Sequence, residues 1–293
     1  MQRRPTVPLL LLLIALALHH FAVAEQKVKP AIWQVDRILV QTSEPRYLFD
    51  LFSDRFQLPV AWPMTTGAES ASGGVGLGNA ILEVYSQGSE EKNSKRGRTL
   101  FAGVALEPYP LAECLPELQS RGISYAPPQP YVSALPDGSQ GPLWTTVVLP
   151  QFSKPGLSVF LFQYSSVFLN AEVKRKQLAG QMALRGGGPL GVRCVREVVL
   201  GTANLSRSRS LWQRLLTPLV PSQPGLLQAG TGPAIRLVPH SADRIQRIVL
   251  EVDSLARARS FLEDNHLLSA VSEKEISLSI SALRGLSVHL TEK

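Results

Sequence analysis

One pattern recurs four times along the chain, and it constrains the fold more than any other feature. In the first unit Asp36-Arg37-Ile38-Leu39-Val40-Gln41 is strand-like, Ser43 and Pro45 open a helix with Leu48, Leu51, Phe52 and Phe56 on one face, and Leu58-Pro59 stops it. Strand candidates follow at Val60 to Trp62, Gly74 to Leu77 and Ala80 to Tyr85, the last preceded by the turn residues Gly78-Asn79. The order is β-α-β-β-β. A second unit starts at Gly103-Val104-Ala105-Leu106-Glu107, continues through a helix with Leu111, Cys114, Leu115 and Leu118 on one face, and closes with strands near Trp144 to Leu149 and Leu157 to Tyr164. The third begins at Val195 to Leu200, has its helix from about Leu205 to Leu216, and is short enough that the strand Ala234 to Val238 stands in for two. The fourth begins at Arg247 to Val252. Laying Gly103–Ile123 over Arg247–Leu267 without a gap matches Leu106 with Leu250, Glu107 with Glu251, Leu111 with Leu255, Ala112 with Ala256 and Leu118 with Leu262, all at equivalent strand and helix positions.

The longest interval between strand starts, 103 to 197, contains the polar, helix-favouring stretch Asn170 to Leu184 and the loop Gly186-Gly187-Gly188-Pro189. That places the boundary: residues 31–168 form one pair of units, 169–191 a linker and 192–293 a second pair, each pair closing its own core. Lys92 to Arg98 reads as the solvated connection inside the first pair. An apolar content of 44% against 18% charged residues suits packed domains and not a disordered chain.

Residues 1–24 read as a charged start at Arg3 and Arg4, an apolar run from Leu9 to Leu18 and the small-residue end Ala22-Val23-Ala24, the pattern of a secretory signal with cleavage after Ala24. The apolar run is shorter than the roughly 20 residues a bilayer span needs. The expectation is therefore a secreted or periplasmic protein with no membrane span after signal removal. Losing Arg3 and Arg4 takes the formal net charge from +7 to +5, a mild and scattered excess that does not call for nucleic acid. The two cysteines, Cys114 and Cys194, exclude a disulfide-rich scaffold and any multi-cysteine zinc module, and whether they pair stays open. Asn204-Leu205-Ser206 is a glycosylation sequon.

Four such units in two pairs, with Gly78-Asn79-Ala80-Ile81-Leu82-Glu83 closing the first and Trp212-Gln213-Arg214-Leu215-Leu216 in the third, resemble the glyoxalase-like domains of the vicinal oxygen chelate superfamily over residues 34–168 and 192–293. The resemblance implies an α+β fold of four βαβββ units arranged as two paired glyoxalase/dioxygenase-like domains. Each pair would curl its sheets around a cleft, each unit offering a metal ligand from the start of its first strand and a carboxylate from its last.

Carried over, the first-strand ligand position falls at Arg37, Gly103, Glu197 and Arg247. Arginine offers only donors and is permanently cationic, and glycine has no side chain, so three of the four suit no metal. The last-strand carboxylate is Glu83 in the first unit, the only intact ligand position of the first domain, with Gln163 in the second and His289 in the fourth. Strand alternation aims Arg37 and Glu83 into one cleft, and the resemblance makes their strands neighbours, so the expectation is an ion pair where a metal would bridge. Trp62 and Tyr85 are candidate aromatic lining, with core packing as the other reading. In the second cleft Glu197, His240 and His289 form a conceivable zinc trio, against surface or packed histidines, and His266 reads as a helix cap.

The functional expectation is a small-molecule-binding module with a degenerate metal site, capturing an anionic or aromatic ligand and needing no cofactor. The alternative is a divalent-metal-dependent (Zn, Mn or Fe) lyase, isomerase or dioxygenase of the superfamily. No Gly-x-Ser-x-Gly elbow occurs, and Gly74-Val75-Gly76-Leu77-Gly78 leads into a strand, which suits close backbone packing better than a phosphate loop.

Overall fold

The structure is a computed structural model that describes residues 29–67, 70–87, 99–135, 138–220 and 225–293. The leader 1–24 and the connection Lys92–Arg98 lie outside these residues.

Each unit's first strand lies in the middle of a sheet. The first unit is β1 (Ile32–Gln41), α1 (Pro45–Asp50) widening into a π turn over Leu51–Arg55, β2 (Val60–Thr66), β3 (Ser70–Gly76) and β4 (Ile81–Gln87). The second is β5 (Leu100–Pro108), α2 (Leu111–Ser120), β6 (Gln129–Ala134), β7 (Gln140–Val148) and β8 (Ser158–Tyr164). After α3 (Ala171–Leu184) the third unit supplies β9 (Val192–Thr202), α4 (Leu205–Leu216), β10 (Leu226–Leu227) and β11 (Ala234–Pro239). The fourth supplies β12 (Arg244–Val252), α5 (Leu255–Asp264), β13 (Leu268–Val271), β14 (Glu275–Leu278) and β15 (Val288–Glu292).

Two sheets result, ordered β2-β3-β4-β1-β5-β8-β7-β6 and β10-β11-β9-β12-β15-β14-β13. In both, two first strands run antiparallel at the centre, and each has its own unit's last strand parallel beside it. This is the α+β, paired βαβββ architecture.

Alternation decides what each sheet face covers. Ile38, Val40, Leu82 and Val84 turn to the helices and bury against Leu48, Leu51, Phe52 and Phe56. Cys114 is fully buried on the inner face of α2, where burial pushes its thiol up to about 12, and it stays free, as does half-buried Cys194. Asn204 caps α4, its side-chain oxygen accepting from the Arg207 N–H at 3.0 Å. Gly122 and His266 each take a left-handed conformation just after a helix, with φ of 66° and 57°.

The helix-side cores of the two pairs are continuous, which corrects the expectation that each pair closes its own. Phe56 packs on Phe261 with ring centroids 6.2 Å apart, and Phe152 on Trp212 at 5.1 Å. The segment 169–191 is also more than a linker: α3 docks Leu178 against Ala61, Ile81 and Trp62 on the opposite face of the first sheet.

Candidate functional site

A β-bulge sits at one fixed place in all four first strands. The ladder between β1 and β5 skips Asp36 and Ala102, and that between β9 and β12 skips Arg196 and Gln246. Each skipped residue directly precedes the carried-over ligand position at Arg37, Gly103, Glu197 or Arg247. A bulge lets two successive side chains lean to one face, so each unit presents a pair where an even ladder would present one. Opposite that pair, the register of the parallel neighbour fixes a third residue: Glu83 on β4, Phe160 on β8, Arg236 on β11 and His289 on β15.

In the first unit these residues are Asp36, Arg37 and Glu83. Arg37 is 4% exposed; its Nε donates to Asp36 Oδ2 at 3.0 Å, one terminal nitrogen to Glu83 Oε2 at 3.0 Å and the other to the Tyr164 hydroxyl at 2.5 Å. Its guanidinium carbon stands 4.0 Å over the Phe162 ring and 5.2 Å from that of Trp62. Burial pulls against the charge on Arg37, but Asp36, Tyr164 and Glu83 together outweigh it and hold the group protonated. Glu83 is steadied from the other side by the Ser72 hydroxyl at 3.1 Å, which also accepts from the Trp62 indole at 3.4 Å. Gly74 makes this possible, because a Cβ there would stand 2.5 Å from the Trp62 ring. The close-packing reading of the glycine run thus has a concrete cause.

Around the ion pair the first sheet is aromatic. Tyr131 stacks on Trp144 at 4.3 Å, Trp144 neighbours Phe162 at 6.0 Å, and Phe162 meets Tyr164 edge-on at 4.9 Å, so the row ends at Arg37. Leu39, Glu83, Tyr85, Lys154 and Phe160 line a cleft of about 510 Å³ beside it. Burial and the Glu83 charge push the Tyr85 phenol up.

The third unit carries the same arrangement with every sign reversed. Arg196, Glu197 and Arg236 stand at the positions of Asp36, Arg37 and Glu83. Arg236 grips Glu197 with two nitrogens, at 2.5 and 2.8 Å, and Arg196 Nε lies 3.6 Å from it. The second unit has no room for chemistry: at Gly103 a Cβ would stand 2.0 Å from the Ser158 carbonyl oxygen, and Ala102 and Phe160 complete an apolar set. In the fourth unit His289 bonds Glu275 at 2.7 Å and Ser287 at 3.0 Å, while Arg247 Nε is buried without a partner.

Two expected site residues are elsewhere. Gln163 is not on the cleft face: its side-chain oxygen accepts from the Leu111 N–H at 2.7 Å and caps α2. It lies three residues from Phe160, the residue in register with the site, and an odd slip along a strand changes faces. His240 follows β11 and pairs its backbone N–H with Thr202, five residues along β9 from Glu197, a separation of about 17 Å at ~3.3 Å per residue. It therefore joins neither Glu197 nor His289, and its ring is held by Ala242 and Arg244. Among the described residues no three His, Cys, Asp or Glu side chains converge as a metal-holding group. The donor set at the carried-over positions, three arginines, one glycine, one phenylalanine, two carboxylates each bonded to an arginine and one histidine bonded to a carboxylate, does not fit a divalent cation. Asp36, Arg196, Arg236 and Gln246 were not expected. The bulge that admits three of them is set by pairing across strands, and Arg236 needed the β11 register.

No protein-family model and no curated protein sequence matches the chain. Solved structures do match in fold. A variant of 4-hydroxymandelate synthase from Streptomyces coelicolor is 12% identical, with 90% of this chain and 93% of that one covered at a TM-score of 0.58. A hypothetical protein from Staphylococcus aureus is 11% identical, with 88% and 99% covered at 0.57. A variant of homoprotocatechuate 2,3-dioxygenase from Brevibacterium fuscum is 8% identical, with 92% and 73% covered at 0.55. The likeness is one of fold: two curled sheets built from paired βαβββ units.

Proposed function

We propose that the chain is an exported member of the vicinal oxygen chelate superfamily that binds a small molecule and has replaced metal ligation by internal charge pairs. One observation carries the reading: Arg37–Glu83 and Glu197–Arg236 occupy the same two positions of two units with opposite polarity. A position kept for a cation does not accept a guanidinium, whereas a position kept for charge balance accepts either order. The aromatic row ending at Arg37 favours a flat, apolar or aromatic ligand in the first cleft. Export rests on residues 1–24 alone.

The metal-dependent lyase, isomerase or dioxygenase remains the second reading, favoured by the fold likeness to two enzymes. Elemental analysis of protein purified from the exported fraction separates the two. The expected result is less than a tenth of an equivalent of zinc, manganese or iron per chain and an intact mass starting at Glu25. One equivalent of metal that is lost in Glu83→Ala would overturn the binding-module reading.

A further inference from the structure

We propose that the fourth unit is an anion-binding site, built on Arg247 and Gln246, that takes the carboxylate of a small organic acid. The four repeats differ in how their charges balance. Asp36-Arg37-Glu83 and Arg196-Glu197-Arg236 each contain their own counter-charge, and Ala102-Gly103-Phe160 contains none to balance. Gln246-Arg247-His289 is the exception: it has a cation and no acid of its own. The acid nearest in the register, Glu275, is bonded to His289. Among the described residues no carboxylate lies within ion-pair distance of Arg247 and no hydrogen bond reaches its guanidinium Nε.

Among the described residues, the side chains with buried nitrogen atoms lacking any partner are Gln246, at Nε2, and Arg247, at Nε. They are consecutive residues at the bulge. An enclosed donor without an acceptor costs the desolvation of that donor, and two side by side at a repeated functional position mark a place where an acceptor belongs. A carboxylate supplies two coplanar acceptors at the spacing of a guanidinium fork and the charge that the unit lacks.

The body of the ligand has room beside Gln246. A cleft of about 400 Å³ between the two halves is lined by Gln246, Asp243, Arg244 and Ser287 on its polar side and by Leu100, Phe101 and Leu286 on its apolar side; Arg247 follows Gln246 along β12 and is not part of the lining. Its size and apolar side suit a monocarboxylate with an apolar body; of the two charged residues in the lining, Asp243 is held by the Ala203 N–H at 3.0 Å and Arg244 supplies a second cation.

This inference rests on the reading of the chain as a binding module without metal, and its test gives a separate readout. Benzoate and its uncharged isostere benzamide serve as probes of the full mature chain, by titration calorimetry in a chelator-containing buffer. Benzoate is expected to bind with at least tenfold preference over benzamide. Arg247→Gln is expected to weaken benzoate at least tenfold, and Lys176→Gln, which removes an exposed charge on α3 away from both clefts, to leave it unchanged. Gln246→Glu offers Arg247 the neighbour that Asp36 is to Arg37, so it is expected to raise the melting temperature while abolishing benzoate binding. Absence of benzoate binding at millimolar concentration, equal binding of benzamide, or indifference to Arg247→Gln overturns the proposal. So does a Gln246→Glu variant that still binds benzoate. Stoichiometric metal in the same preparation overturns the earlier reading and leaves the comparison of benzoate with benzamide readable.

Discussion

At the residue scale the first site is a buried ion pair whose members hold each other in place. Arg37 is enclosed by Asp36, Glu83, Tyr164, Phe162 and Trp62, with each of its three guanidinium nitrogens hydrogen-bonded. Removing one partner leaves donors enclosed and unpaired, whereas removing both leaves an apolar space among aromatic rings. Glu83→Ala is expected to lower unfolding stability by about 1–3 kcal/mol. Arg37→Met alone strands Glu83 and Tyr164, and the double variant Arg37→Met/Glu83→Ala should cost less than the sum by about 1 kcal/mol or more. A denaturant-melt double-mutant cycle checks this, and additive costs would mean that the two side chains act independently. The facing of Arg37 and Glu83 was legible in the sequence because both strands alternate cleanly and no apolar residue competes for the cleft side. Asp36 was not. On an even strand it points to the helices, and only the skipped pairing with β5 turns it to Arg37.

At the scale of elements, strand and helix starts could be read because each unit spaces its first strand and its helix alike: Arg37 and Pro45, Gly103 and Leu111, Glu197 and Leu205, Arg247 and Leu255. What the pattern hid was register, which depends on where a partner strand begins. The position carried over from the resemblance was Gln163, while pairing with β5 selects Phe160, and the two lie on opposite faces. The same blindness concealed Arg236, the partner of Glu197. Glycine in β3 illustrates how an element serves the site without touching a ligand. Gly73 admits the Phe49 ring, which a Cβ would approach to 2.6 Å, and Gly74 admits the Trp62 indole on the other face. Gly74→Ala is expected to displace Trp62 from Ser72 and from the Arg37 guanidinium, destabilising the chain by about 1–3 kcal/mol through overpacking. Tryptophan emission should shift to the red as the indole moves toward water, while Gly180→Ala, which meets nothing within 4 Å, should leave the emission unchanged. Equal spectra for both variants would contradict the packing account.

At the scale of the molecule, the two halves are joined by a reciprocal pair of turns. The turn before β4 places Gly78 against the Arg193 carbonyl, and Asn79 bonds the backbone of β9 and of the turn before β11: its oxygen accepts from the Val195 N–H at 2.9 Å, and its amide nitrogen donates to the Val195 and Thr231 carbonyls at 3.1 Å. The turn before β11 does the converse, with Gly230 and Gly232 against the Trp33 and Val35 carbonyls of β1 and Thr231 donating to Gln34 at 3.0 Å. Gly188, in the stretch that reads as a boundary, packs against the Phe56 carbonyl and accepts a hydrogen bond from Arg257, so it is tied to both halves. With the helix-side core also continuous, the halves should unfold as one unit despite their separate sheets. Calorimetry is expected to give a single transition whose calorimetric and van't Hoff enthalpies agree. Asn79→Ala should remove the amide that stands in for a strand beside Val195, costing about 2 kcal/mol at roughly 1 kcal/mol per hydrogen bond lost and offset in part by water. For a chain of this size that lowers the single transition by about 3–4 °C. A break at Gly186–Pro189 should release two fragments that do not fold separately, since each would expose half of the shared core, Phe56 from Phe261 and Phe152 from Trp212. Two resolved transitions in the intact chain, or one half melting unchanged in Asn79→Ala, would show instead that the pairs are independent domains and that the turn contacts contribute little.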